Sequence, residues 1–153
     1  MLLNHLSQLG ELKKLIRLRE PPLSMEVARE ITAPYRLPEE YLELMCKVNN
    51  MELLGSEDFL LMYSLGDAAL FTSDNFEGTD LGHLFLFGVD GGGRWYAMDV
   101  ENAWGKGLHS IFFIPRGSMK KEYSTWLAGD LKELFDKLNQ SISFSDLPWM
   151  DEE

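Results

Sequence analysis

The chain has 153 residues, 45% apolar and 25% charged, a mixture that excludes a disordered polymer and gives one domain enough interior to fold unaided. A single cysteine, Cys46, excludes an internal disulfide and a cysteine-based zinc site within one chain, and no apolar run approaches the roughly 20 residues of a membrane span. The formal net charge of -11 disfavours nucleic acid and anionic membrane as partners, and without a signal-like leader the expected location is the cytoplasm.

Leu2, Leu6, Leu9, Leu12, Leu15 and Ile16 recur at three- and four-residue spacing, which predicts an amphipathic helix ending by Pro21. Ser24 is placed to cap a second helix over 25–32, which Pro34 ends because proline removes a ladder donor and biases Ala33 toward extended backbone. Pro38 suits the start of a third helix. Glu39 and Glu40 then sit at its positive end, Tyr41, Leu44, Met45 and Val48 form its apolar face, and Asn49 or Asn50 closes it in the left-handed conformation.

Beyond residue 50 the period shortens. Strands are predicted over 51–54 and 59–63, a serine-capped helical turn over 64–73, a polar loop over 74–82, and over 83–87 an apolar strand covered on both faces. Val89-Asp90-Gly91-Gly92-Gly93 marks a hairpin into a strand over 94–100, with Tyr96, Met98 and Val100 on one face and Trp95, Ala97 and Asp99 on the other. A further strand over 109–114 ends at Pro115, and Ser124 or Thr125 caps a last helix bearing Leu127, Leu131, Leu134, Phe135 and Leu138.

Helices, then a meander, then a helix predict an α+β fold in which an antiparallel sheet carries its helices on one face and leaves the other for a partner. The chain reads as one domain over 1–153, with a helical segment at about 1–20, a core at about 25–139 and a polar tail at about 140–153.

Charge is unevenly spread. Residues 1–47 balance, whereas 48–93 contain no Lys or Arg and eight acids, Glu52, Glu57, Asp58, Asp67, Asp74, Glu77, Asp80 and Asp90. Such a stretch speeds association with a basic protein surface. The expected partner-binding residues are Glu57, Asp58, Asp74, Glu77, Asp80, Asp99 and Glu101, with Trp104 as an aromatic anchor in an acidic, glycine-bordered loop.

Catalytic readings fail on context. The glycine run leads into a strand rather than a helix, so it lacks the dipole and the Lys-Ser/Thr of a phosphate loop. His5, His83 and His109 are scattered, and Ser7, Ser110 and Cys46 lack the context of a nucleophile motif. Asp90, Asp99 and Glu101 offer oxygen ligands for a hard cation but show no EF-hand spacing. No catalytic residue, cofactor or metal is expected.

Leu37-Pro38-Glu39-Glu40-Tyr41 through Asn49, and Phe87-Gly88-Val89-Asp90-Gly91-Gly92-Gly93 followed by Tyr96 and Asp99, together resemble the SUKH superfamily, the Smi/Knr group of small α+β proteins. Element order over about 25–139 is similar too, although Asn50 stands where a glycine is usual. The resemblance implies a bacterial immunity protein that neutralises a cognate toxin, often a nuclease, by direct binding. Other members are regulatory interaction adaptors, and a small ligand-binding domain or enzyme is the third alternative.

Overall fold

A computed structural model of the chain describes residues 1–150. In chain order the elements are α1 (Leu2–Ser7), β1 (Lys13–Leu18), α2 (Met25–Thr32), α3 (Glu39–Lys47), β2 (Val48–Leu54), β3 (Phe59–Met62), α4 (Leu65–Phe76), β4 (Leu84–Val89), β5 (Arg94–Asp99), β6 (Ile111–Pro115), β7 (Thr125–Ala128) and α5 (Leu131–Asn139). The strands form one sheet in sequence order, each antiparallel to the next. The fold is α+β, with the expected meander.

The main core lies between one sheet face and the helices. Leu6 of α1, Tyr41 and Met45 of α3, and Leu134 and Phe135 of α5 pack with Met51, Phe85, Phe87, Tyr96, Met98 and Phe113 of the strands. The expected alternation in β5 holds, with Tyr96, Met98 and Val100 in this cluster and Trp95 and Ala97 in a second one. That second cluster overturns the idea of a sheet bare on its far side. Leu84, Leu86, Trp95, Ala97, Phe112 and Ile114 are buried there, together with Phe76, Leu81 and Met150. On β1 and β2 the far face stays open, and Leu15 and Leu54 are exposed there.

Several boundaries depart from the sequence reading. The predicted first helix stops at Ser7, and Lys13–Leu18 is instead an edge strand. Gly10 breaks the helical run, since glycine is costly in a helix interior, and pairing of residues 13–18 with β2 satisfies more backbone than another turn would. α3 runs straight into β2, with Val48 extended at φ -112°, so Asn49 and Asn50 lie in a strand and no left-handed cap is used. Asn50 therefore sits where glycine's freedom is not needed.

α4 extends through Asp74 to Phe76, beyond the predicted turn, from the expected cap in which Ser64 Oγ accepts from Asp67 N at 3.3 Å. It lies against β4 where β3 has ended. Thr72 Oγ1 accepts there from Leu86 N at 2.8 Å and so occupies a donor that a neighbouring strand would have taken. Residues 125–128 form β7 rather than the start of the last helix, whose cap is Asp130, with Oδ1 accepting from Glu133 N at 2.8 Å. The tail is docked in part: Phe144 is buried, and Met150 N donates to Ser124 O at 2.8 Å. Asp151, Glu152 and Glu153 lie outside the described residues.

One core group lacks a partner. Tyr41 is fully buried, edge-on to Phe85 and Phe87, and its hydroxyl forms no hydrogen bond among the described residues. An unsatisfied buried hydroxyl costs roughly 1–3 kcal/mol. Tyr41→Phe is therefore expected to raise the unfolding free energy by about 1 kcal/mol in urea titrations. A loss of that size would show that the hydroxyl is satisfied in solution.

Candidate functional site

The expected partner residues fall at the two ends of the β4–β5 ladder. At one end, where β4 begins and β5 finishes, Leu84 pairs with Asp99 and Val100 N donates to His83 O. Asp74, Glu77, Asp80 and Glu101 are all exposed here. Asp74 lies on the last turn of α4, Glu77 is the extended residue that follows its end, Asp80 comes in the next turn, and Glu101 comes from the β5–β6 loop. At the other end, Glu57 and Asp58 in the β2–β3 turn lie near Asp90 of the glycine hairpin. About 17 Å of strand separates the groups.

Asp99 is an internal anchor. Its side chain is fully buried: Oδ1 accepts from His83 Nδ1 at 3.0 Å, from Ala103 N at 3.1 Å and from Glu101 N at 3.3 Å, while Oδ2 accepts from Trp104 N at 2.9 Å. An ionised carboxylate has no proton to give, so His83 carries the hydrogen on Nδ1. Burial pushes the Asp99 carboxyl up, but the bonds from His83, Trp104 and Ala103 outweigh it and hold the group below the usual carboxylate range.

The loop that Asp99 ties down is fixed along its length. Asn102 and His109 are left-handed, at φ 54° and 67°. Asn102 Oδ1 accepts from Gly107 N at 2.9 Å, and His109 Nε2 bonds Arg36 O at 2.7 Å. Trp104 is half-buried, its ring edge-on to His83 and Phe112 at 5.0 and 4.7 Å between centroids. It is a packing residue with one margin in solvent. A cleft of about 640 Å³ opens between this loop (Val100, Glu101, Leu108, His109) and the α2–α3 connection (Pro34, Tyr35, Arg36, Leu37). Burial and the nearby Glu77 charge together raise the Tyr35 pKa.

At the opposite end Asp58 also has an internal task, since Oδ2 accepts from Phe144 N at 2.8 Å and holds the tail to the β2–β3 turn. Burial raises its pKa, reinforced by Asp90 and Glu57 and opposed by Phe144 N–H and Arg94. Asp90 closes the glycine hairpin: Oδ1 accepts from Gly92 N and Arg94 N, with Gly91 and Gly93 at positive φ. The hairpin reading holds, and the loop's backbone donors are turned onto Asp90.

The set Asp90, Asp99 and Glu101 is not assembled, because the first lies at the far end of the ladder from the other two. Among the described residues, no group of three or more His, Cys, Asp or Glu side chains is placed to hold a metal ion, and no helix is long and apolar enough to cross a membrane. His83, one of the scattered histidines, is the partner of Asp99, a pairing that the sequence reading does not include. Its one local signal was an aspartate ending a strand before a glycine-bordered loop, the setting in which a carboxylate caps backbone donors.

A search among curated proteins finds none that matches. The profile of the SMI1 / KNR4 family (SUKH-1) matches residues 28–137, which takes in the Leu-Pro-x-x-Tyr helix, the glycine hairpin and strands β2 to β7. The chain therefore belongs to the SMI1 / KNR4 family (SUKH-1).

Proposed function

We propose that this protein is a non-catalytic bacterial immunity protein that works in the cytoplasm by binding a cognate toxin on a basic surface. The observation that carries the reading is the gathering of Asp74, Glu77, Asp80 and Glu101, exposed and from separate segments, at one end of the sheet. A partner is met there by four carboxylates on backbone already ordered by α4 and by the Asp99-anchored loop, so little entropy is lost in docking. Trp104 offers an aromatic margin beside them. Glu57 and Asp58 lie too far along the ladder to share a compact interface with this group, and we place them outside it.

Basic residues at this end are Arg36, on the cleft wall, and Lys106, in the same loop as Glu101. Co-expression with candidate toxins encoded beside the gene identifies the partner by rescue of growth. With that toxin, the Asp74→Lys/Glu77→Lys/Asp80→Lys variant is expected to associate about tenfold or more slowly at low salt, with a flatter dependence on ionic strength. Glu57→Lys is expected to stay within about twofold of wild type. Unchanged kinetics in the triple variant would refute the surface.

A further inference from the structure

We propose that the free edge of β1 is a second docking site, separate from the acidic end of the sheet, and that it takes an extended acidic segment of a protein by strand addition. β1 is the terminal strand, paired only with β2. No hydrogen bond from another described residue reaches the backbone of Lys13–Leu18 on its outer side. Such a row of unpaired N–H and C=O groups is a template for one more strand. The strand also lies outside the stretch matched to the family, which begins at residue 28.

The side chains define what pairs with it. Lys13, Leu15 and Arg17 alternate on one face and are exposed, Leu15 at 52%, and Leu54 of β2 stands opposite Lys13 at 46%. Lys13 and Arg17 form no ion pair with a described residue. The other cations of the segment are engaged, with Lys14 Nζ donating to Leu6 O and Leu9 O and Arg19 Nε to Met45 O. Glu52, across from Leu15, is the one carboxylate on this face of the β1–β2 pair, and Glu11 and Glu20 lie beyond the ends of the strand. The surface thus reads cation, apolar, cation, and the complementary strand reads acid, apolar, acid.

A second copy of this chain is disfavoured by the same pattern. Antiparallel pairing of two β1 strands about Leu15 sets Lys13 opposite Arg17 twice, and like charges directly opposite are destabilising. Without β1 the edge would be β2, whose far face carries Asn50 and Glu52. Adding β1 changes the edge from acidic to basic.

The test uses the full chain and a synthetic Glu–Val peptide that carries Glu, Val and Glu at every second position with Thr between them, so that the three share one strand face, with a Lys–Val peptide of the same layout as control. Saturable binding of the Glu–Val peptide is expected by fluorescence anisotropy, weakening as salt rises. Amide protons of residues 13–18 should gain protection from exchange. Lys13→Glu/Arg17→Glu is expected to weaken binding about tenfold or more and Lys13→Gln/Arg17→Gln by an intermediate factor. The acidic-end triple variant should bind the peptide normally, which separates this site from the toxin surface. The proposal is overturned by absent binding, by equal binding of the Lys–Val peptide, by protection appearing elsewhere, by self-association through β1 in sedimentation, or by equally effective competition from single-stranded RNA.

Discussion

Gly88→Ala is expected to lower the unfolding free energy by about 3 kcal/mol, the upper end of what overpacking a well-filled interior costs. A Cβ at this position would lie 2.6 Å from Leu60 Cδ1 and 2.7 Å from Leu61 O. The leucine methyl is the far end of a flexible side chain, but the carbonyl belongs to the neighbouring strand and moves only if that strand moves. β3 and β4 are joined at just two paired positions, Leu61 with Val89 and Met62 with Gly88, beside Tyr63 N donating to Phe87 O. Forcing them apart opens the seam between the first three strands and the last four. Gly92→Ala is the control, because its Cβ would meet only the Asp90 carboxylate at 3.5 Å, and a cost below about 1 kcal/mol is expected. Equal midpoints for the two variants in guanidinium titrations would contradict the argument.

What was readable in the sequence was local. The caps at Ser24 and Ser64, the apolar face of α3 and the Asp90-Gly91-Gly92-Gly93 hairpin each depend on residues within a few positions, and each appears in the structure. The misreadings share a physical cause. Leu2 to Ile16 keep a helical period only by counting across Gly10, and the decision between another helical turn and a strand rests on β2, whose paired residues lie about thirty to forty positions away. Leu127 fits the spacing of Leu131 and Leu134 by coincidence while belonging to β7. The better signal was Asp130 with Glu133 three residues on, which together hold the N-terminus of α5 through Glu133 N and Gly129 N. The site behaves the same way. Counting charges found the carboxylates, but strand register separates Glu57 and Asp58 from Asp74, Glu77 and Asp80, and burial turns Asp99 from a surface acid into an anchor.

Asp99→Ala is expected to cost about 3–4 kcal/mol, because it strips a buried acceptor from three backbone N–H groups and one imidazole at once and leaves them without partners. Asp99→Asn is expected to cost less. Its amide oxygen still accepts from His83, Glu101 and Ala103, while the amide nitrogen opposes Trp104 N–H, a donor facing a donor. The folded-state pKa of Asp99 is depressed, so its stabilisation is complete above the unfolded value of about 4 and disappears as pH falls through the lower folded value. The stability gap between wild type and Asp99→Ala should therefore be constant near neutrality and narrow below about pH 4. Asp58, raised in the folded state, titrates with the opposite sign but equally in both proteins, so the difference isolates Asp99. Loss of this anchor also frees Glu101 and Trp104 from their positions, so on the proposed function release of the proposed toxin partner should quicken, while charge-driven association through the proposed Asp74, Glu77 and Asp80 surface stays near wild type. A variant that instead slowed association and released normally would place the Asp99 loop outside the interface.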